Sequence, residues 1–294
     1  MKYMDKRNKL LIFLRSFFPT KLQIKIEYRI KCKRKLNLKN PSRLSEKLQL
    51  YKLNYRNPLM VTCADKIEVL NYIDKKGLMD LIVPKYGIYY SYEEIKFDEL
   101  PKSFVIKSNH GSGHNIIVDD KDKLDHRLLR KTLNKWLNYN TRLYGTEWVY
   151  KKIKPGILIE KKLPLDKNGD LPDYKFFCFN GRVEFLYIMK DTTGNPIQKK
   201  LNFYDRDFNL LPFERMDYPG FNNKSIGKPS NFDQMIKYAE ELSKDFPHVR
   251  VDFYNVDGKI FFGELTFFTS GGYLNFNRDS YDEVLGKLFN LNDL

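Results

Sequence analysis

One stretch constrains the fold of this 294-residue chain more than any other: residues 248–267 alternate apolar and polar side chains on both sides of Asp257-Gly258. Such alternation is the period of a half-buried strand, and an Asp-Gly pair between two such runs marks a hairpin. Loop length then decides which side chains meet. A two-residue loop sends Asp252 and Glu264 to opposite faces. A three-residue loop, Val256-Asp257-Gly258 with its glycine left-handed, puts Val249, Val251, Phe253, Phe261 and Leu265 on one face and Arg250, Asp252, Glu264 and Thr266 on the other. Only this register keeps apolar with apolar, and the buried face fixes register. The expected sheet face gathers two carboxylates, an arginine and a hydroxyl, an oxygen-rich set that suits Mg²⁺. A cross-strand salt bridge on a solvated face is the competing explanation. The second carboxylate counts against it, because two acids repel without a cation between them.

A second constellation runs from Phe104 to Val118: two β-branched runs flank Gly111-Ser112-Gly113, and the leading strand ends on Lys107-Ser108. Glycines let backbone N–H groups close over phosphate oxygens, and a lysine supplies a mobile charge for them. A Walker loop would need a helix and Lys-Ser/Thr after its glycines, and neither is present. Taken alone, the segment is weak evidence, and an ordinary glycine hairpin is the favoured reading. His110 and His114 would face each other only on a helix, and the Gly-Ser-Gly spacer argues against a zinc pair.

The remaining pattern is α+β with antiparallel hairpins. Helices are expected at Leu10 to Phe18, Arg43 to Tyr55, Ala64 to Lys76, His126 to Asn138 and Phe232 to Asp245. Strands are expected at Leu81 to Pro84, Phe104 to Ser108, Asn115 to Val118, Ile157 to Leu163, Tyr174 to Phe179, Val183 to Met189 and Leu201 to Tyr204. Leu22, Ile24, Ile26, Tyr28 and Ile30 alternate, which favours a strand by period and leaves a helix open.

Charge is distributed unevenly. Residues 1–60 hold 17 Lys or Arg against three acids, so +14 of the net +15 lies in a basic arm ahead of a nearly neutral body. Such an arm suits anionic lipid, anionic glycan or nucleic acid, or is a solvated basic helix. Because the body is neutral, nucleic acid is the least favoured partner. No apolar run approaches a membrane span, and Arg15 breaks the one run that resembles a signal peptide. The expected location is cytoplasmic, with contact at the inner membrane face through residues 1–40. Cys32, Cys63 and Cys178 are far apart, the pattern of reduced thiols.

These residues resemble the ATP-grasp proteins, and more closely their teichuronopeptide-biosynthesis (TupA-like) group. The similar stretches are Pro41 to Pro58, Ala64-Asp65-Lys66, Phe104 to Val118, Ile157 to Leu163, Asp173 to Gly181 and Phe246 to Phe267. The resemblance implies an ATP-grasp fold of two α/β subdomains clamping the nucleotide, preceded by a basic helical arm. It divides the chain into an arm (1–40), a preceding region (41–100) and the ATP-grasp domain (101–294, hinge near 157–163). It implies ATP and Mg²⁺, or Mn²⁺, as cofactors. Lys66 and Lys107 would reach the phosphates under the Gly111-Ser112-Gly113 loop. Glu160 would lie in the hinge, with backbone groups of Lys161 and Leu163 reading adenine. Lys175 would sit near the nucleotide or acyl phosphate, Asp252 and Glu264 would bind metal, and Arg250 would stabilise the transferring phosphoryl. Thr266 departs from the pattern, since many relatives have Asn there, which puts a two-metal geometry in question. Thr269-Ser270-Gly271-Gly272 sits where such enzymes often bind substrate.

The implied activity is ATP-dependent joining of a carboxylate to an amine. The relatives' association with cell-surface polysaccharides suggests a uronic-acid glycan or an amino acid as substrate. Two other classes compete. Asp205-Arg206-Asp207 has the form that carries a sugar-nucleotide metal in glycosyltransferases, although acid-rich turns share it. The basic arm could instead be the active part of a non-enzymatic binder of anionic polymer.

Overall fold

The computed structural model describes residues 18–111, 113–139, 146–192 and 199–291. The chain divides into two compact units. One comprises Met1–Arg56, Gly145–Glu147 and Leu165–Leu294; the other comprises Asn57–Tyr144 and Trp148–Pro164. The expected helix at Leu10 to Phe18 lies almost wholly outside the described residues.

The 57–164 unit is built on a four-stranded antiparallel sheet, order β1-β4-β2-β3, from β1 (Lys85–Tyr89), β2 (Phe104–Ser108), β3 (Asn115–Val118) and β4 (Ile157–Lys161). Residues Phe104, Ile106, Ile157 and Ile159 face one way and meet Leu129, Leu133 and Trp136 from a helix at His126–Leu137. That helix forms because its apolar residues recur at i, i+4 and i+7, and because Asp125 caps it by accepting from the Leu128 N–H at 2.9 Å. Burial of each such side chain contributes roughly 1.5–3 kcal/mol.

Two sequence expectations fail here for local reasons. Leu81 to Pro84 is not a strand: Met79–Leu81 is a 3-10 turn, and the strand begins at Lys85. The single helix expected from Ala64 to Lys76 is two, Leu59–Ala64 and Val69–Lys75. Asp65 is extended between them and accepts the Ile67 N–H at 2.8 Å, while the Lys66 N–H bonds the Asn109 carbonyl at 3.0 Å. An Asp side chain that competes for backbone donors breaks the helix. The break sends Lys66 toward the glycine loop.

The other unit holds a six-stranded antiparallel sheet, order β10-β9-β5-β6-β7-β8. Its strands are β5 (Asp173–Phe179), β6 (Arg182–Lys190), β7 (Lys200–Asp205), β8 (Leu210–Leu211), β9 (His248–Val256) and β10 (Lys259–Thr266). A helix at Phe232–Ser243 packs on β5, β6 and β9 through Phe232, Met235, Ile236, Ala239 and Leu242. On the same unit, a helix at Leu44–Asn54 meets one at Asp279–Gly286 that the sequence pattern did not reveal. The buried Asp282 carboxylate joins them by accepting from Ser45 N at 2.9 Å and Ser45 Oγ at 2.5 Å.

The alternating segment near the N-terminus is helix α1 (Thr20–Lys31), so the leaning toward a strand is overturned. Ile24 and Tyr28, one helical turn apart, are buried against Cys32, Leu36 and Tyr273, and the Tyr28 hydroxyl lies 2.7 Å from Ser45 Oγ. Period-2 and period-4 spacing coincide at every second apolar residue, so the sequence alone could not separate them. All three cysteines are buried and outside any disulfide, and burial raises the Cys178 thiol to about 12. Among the described residues, no helix is long and apolar enough to cross a membrane.

Candidate active site

The acidic face forms on β5, β9 and β10. The turn between β9 and β10 has only two residues, Asp257 and Gly258, both left-handed (φ 49° and 80°), with Val256 opposite Lys259. The expected three-residue loop is therefore wrong. A β-bulge between Phe262 and Glu264 shifts the register by one, so Glu264 lies opposite Asp252 and Thr266 opposite Arg250. The expected polar face survives by a different route. The apolar face changes: Phe262, opposite Phe253, takes the place expected for Phe261, which pairs with Tyr254. Gly263 makes the bulge fit, because a Cβ there would sit 3.0 Å from the Asp252 carbonyl oxygen.

Arg250 organises this face. Its Nε and Nη2 donate to the two Asp252 oxygens at 2.7 and 2.6 Å, and Nη2 also reaches Glu264 Oε1 and Thr266 Oγ1, each at 3.0 Å. Lys175, opposite Asp252 on β5, donates to Asp252 Oδ2 at 2.5 Å and pairs with Asp173 at the same distance. Burial pushes the Asp252 carboxyl up, to about 6, against the pull of Arg250 and Lys175. Burial would lower the Lys175 ammonium, yet Asp173 and Asp252 together hold it above its ordinary value. Three carboxylates against two cations leave the face one negative charge in excess. Asp252, Glu264 and Thr266 offer hard oxygen donors, which is the donor chemistry Mg²⁺ requires. Among the described residues, no group of three or more His, Cys, Asp or Glu is placed to hold a metal ion by itself.

The loop after β10 is the second feature of this unit. Ser270, Gly271 and Gly272 are all left-handed (φ 53°, 64° and 76°). The buried Lys52 donates to the Gly271 carbonyl at 2.6 Å, and Gln49 Nε2 to the Gly271 and Gly272 carbonyls at 3.2 and 2.8 Å. Burial lowers the Lys52 ammonium to about 8. Arg250 Nη1 reaches Thr269 Oγ1 at 3.3 Å, and Arg215 Nη2 reaches Ser270 Oγ at 3.0 Å. Sequence reasoning missed Gln49, Lys52, Asp173 and Arg215. Only Asp173, two residues from Lys175 on a strand, carried a signal that could have found it.

The basic constellation lies in the 57–164 unit. Lys107 and Lys85 flank Glu160, with Lys107 on one carboxylate oxygen and Lys85 3.3 Å from the other. Burial acts to raise the Glu160 carboxyl, and Lys107 and Lys85 outweigh it, so it stays below the usual range. The Lys66 ammonium donates to the Gly111 carbonyl at 3.0 Å. Gly111 and Gly113 are left-handed (φ 73° and 75°), while Ser112 lies outside the described residues. The Lys161 N–H is committed to the Pro84 carbonyl at 2.8 Å, and Leu163 is buried just beyond β4.

His110 and His114 meet without a helix, their rings 5.9 Å apart edge to face, contrary to expectation. The His114 ring stacks on Trp136 at 5.2 Å, and the loop, not helical spacing, brings the pair together. Burial, then His114, lowers the His110 imidazole to about 4. Asn109, also missed, donates to Asp65 Oδ1 and the Lys154 carbonyl, each at 2.9 Å, and accepts the Gly156 N–H at 2.8 Å. It thereby fixes the loop's origin.

A family model described as TupA-like ATPgrasp matches residues 46–290, which span every site residue above. The chain belongs to the TupA-like ATP-grasp family. Solved ATP-grasp structures similar to it include D-alanine–D-alanine ligase from Bacillus anthracis complexed with ATP (18% identity, 69% of this chain and 54% of that one, TM-score 0.41). Another is the L-amino acid ligase from Bacillus licheniformis (14%, 78% and 49%, 0.47). A third is the ATP-grasp ligase PsnB complexed with minimal precursor, Mg and ADP (14%, 76% and 58%, 0.37). The chain thus spans about half the length of these structures. No curated protein matches it.

Proposed function

We propose that this ATP-grasp protein is an ATP-dependent carboxylate–amine ligase acting through an acyl phosphate. Its proposed role is to join an amino acid or peptide to a uronic-acid-bearing cell-surface polysaccharide or its precursor. The observation that carries the chemistry is the pairing of Asp252 with Glu264 under the Arg250 guanidinium, beside Lys175.

In this reading the substrate carboxylate oxygen takes the γ-phosphoryl of ATP, giving ADP and an acyl phosphate. The amine nitrogen then attacks the acyl carbon and inorganic phosphate leaves. Asp252, Glu264 and Thr266 would hold Mg²⁺, which when bound supplies charge neutralisation at phosphate oxygens. Arg250 and Lys175 place two positive charges where negative charge develops, and they are pre-oriented by Asp252 and Asp173. Lys66 and Lys107 supply the phosphate-binding charge of the glycine loop. No protein nucleophile is needed, consistent with three buried thiols. For the glycosyltransferase alternative, Asp205 accepts from Asp207 N, Asn209 N and Asn209 Nδ2 at 2.8–2.9 Å, the pattern of an acid-capped turn, which supports the turn reading of Asp205-Arg206-Asp207.

The deciding experiment supplies ATP, Mg²⁺, a uronic-acid oligosaccharide and an amino-acid panel, and follows ADP release and product mass. ADP release that depends on both carboxylate and amine supports the ligase. Release of a nucleoside diphosphate from a sugar nucleotide would replace it with glycosyl transfer.

A further inference from the structure

Helix α1 has two apolar faces, and the fold uses only one. Ile24 and Tyr28 are fully buried in the unit that carries the acidic sheet. Leu22, Ile26 and Ile30 are 41%, 40% and 52% exposed, and Phe18, just ahead of the helix, is 47% exposed. Leu22, Ile26 and Ile30 follow one another at i,i+4, so they line up as a stripe roughly 12 Å long along the helix, with Phe18 ahead of it.

The charges around the stripe are of one sign. Lys21, Lys25, Arg29 and Lys31 on the helix, and Lys33, Lys35 and Lys39 after it, are all exposed. The one acid between residues 18 and 40 is Glu27, which lies on the inner side, 13% exposed and 3.1 Å from Lys31. A solvated basic helix would not need three exposed aliphatic residues in register. Binding to a soluble acidic polymer would use the cations and leave that stripe idle. A symmetric contact between two copies would press like charges together. An apolar stripe edged by lysine and arginine is what an anionic bilayer surface accepts: aliphatic side chains enter the headgroup boundary while cations meet lipid phosphates.

We propose that the outer face of α1 (Leu22, Ile26 and Ile30, with Lys25 and Arg29) docks this protein on an anionic lipid surface, the helix lying parallel to it. The assignment stands apart from the ligase reading, since it uses none of the site residues.

The full-length chain is sedimented with sucrose-loaded vesicles of phosphatidylcholine alone and of phosphatidylcholine mixed with phosphatidylglycerol. Binding to the mixed vesicles is expected, with little to the neutral ones. The triple variant Leu22→Ser, Ile26→Ser, Ile30→Ser should lose roughly tenfold or more in affinity. Lys25→Glu with Arg29→Glu should lose the preference for phosphatidylglycerol. If the triple variant melts early, Ile26→Ser alone serves, with a smaller loss in the same direction. The proposal is overturned if the native chain ignores mixed vesicles, or if the triple variant binds them as well as the native chain does. Two further results overturn it when vesicle binding is absent: capture by a soluble polyanion that the triple variant retains, and a dimer that the triple variant dissociates.

Discussion

Asp252 and Glu264 are direct cross-strand partners, although the two-residue turn joining their strands would by itself set them on opposite faces. The bulge at Gly263 reverses that parity, and Arg250 then spans both carboxylates from the strand position opposite Thr266. The acidic site therefore depends on one residue without a side chain.

Gly263→Val tests that dependence. A Cβ there would close to 3.0 Å on the Asp252 carbonyl, so the Asp252 backbone must give by a few tenths of an ångström. The expected loss is about 1–3 kcal/mol, read as a lower Tm. Mg²⁺-dependent stabilisation by ATP should disappear even below the new Tm. Unchanged Mg²⁺ dependence would show that the bulge does not set the site.

Glu264→Gln and Lys175→Met should separate chemistry from stability. Glu264 is partly exposed at 38% of its side chain, so its amide variant should melt close to the native protein while ATP-dependent turnover is lost. Lys175 is buried between Asp173 and Asp252, so its removal leaves Asp173 without its cation and Asp252 with Arg250 alone, and should cost about 3–5 kcal/mol. Chemical denaturation and single-turnover ADP release together distinguish the two outcomes. Full activity in Glu264→Gln would remove that residue from the site.

Lys107→Ala should weaken nucleotide binding by about 10–100-fold, the worth of a charge-assisted hydrogen bond to phosphate. The fold should survive, because Glu160 keeps Lys85 at 3.3 Å. Titration of ATP by calorimetry, beside a melting curve, reads both effects.

Lys52→Met removes the ammonium that holds the Gly271 carbonyl at 2.6 Å. The Gly271 carbonyl keeps only the longer bond from Gln49 at 3.2 Å, so losing the charged donor costs about 1.5–3 kcal/mol and weakens the left-handed turn at Ser270 and Gly271. Faster proteolysis at residues 269–272 is expected, with a larger change in the KM of the acceptor than in that of ATP. Equal changes in both would assign Lys52 to the core alone.

Acid should destabilise the protein through its buried histidines. Burial holds the His248 imidazole down at about 3, against the Cys178 carbonyl that accepts from it, and His110 lies at about 4. An unfolded histidine titrates near 6.5, so below that pH the unfolded chain binds protons that the folded one refuses. Stability should be full above about pH 6.5 and fall as the pH drops toward 4. His248→Gln should flatten the slope of Tm against pH in that window.

The hairpin around Asp257-Gly258, the strands flanking the glycine loop and the amphipathic helices at 126–137 and 232–243 were legible because local period and turn chemistry specify them. The identity of the charged residues on the acidic face was legible for the same reason. Local pattern gave the wrong loop length, however, because a bulge at Gly263 exchanges one register for another at no cost to hydrophobic alternation.

What the sequence by itself determined is the alternation that makes the sheets, the charge gathered in the arm and the residue types of the site. Tertiary structure decided which of those residues meet. Lys52 and Gln49 reach the turn at 271–272 across more than two hundred residues, and Asn109 ties Asp65 to Lys154. The alternating arm became a helix with one face buried and one left outside. Such contacts depend on where distant elements come to lie against one another, and no periodicity within a segment records that.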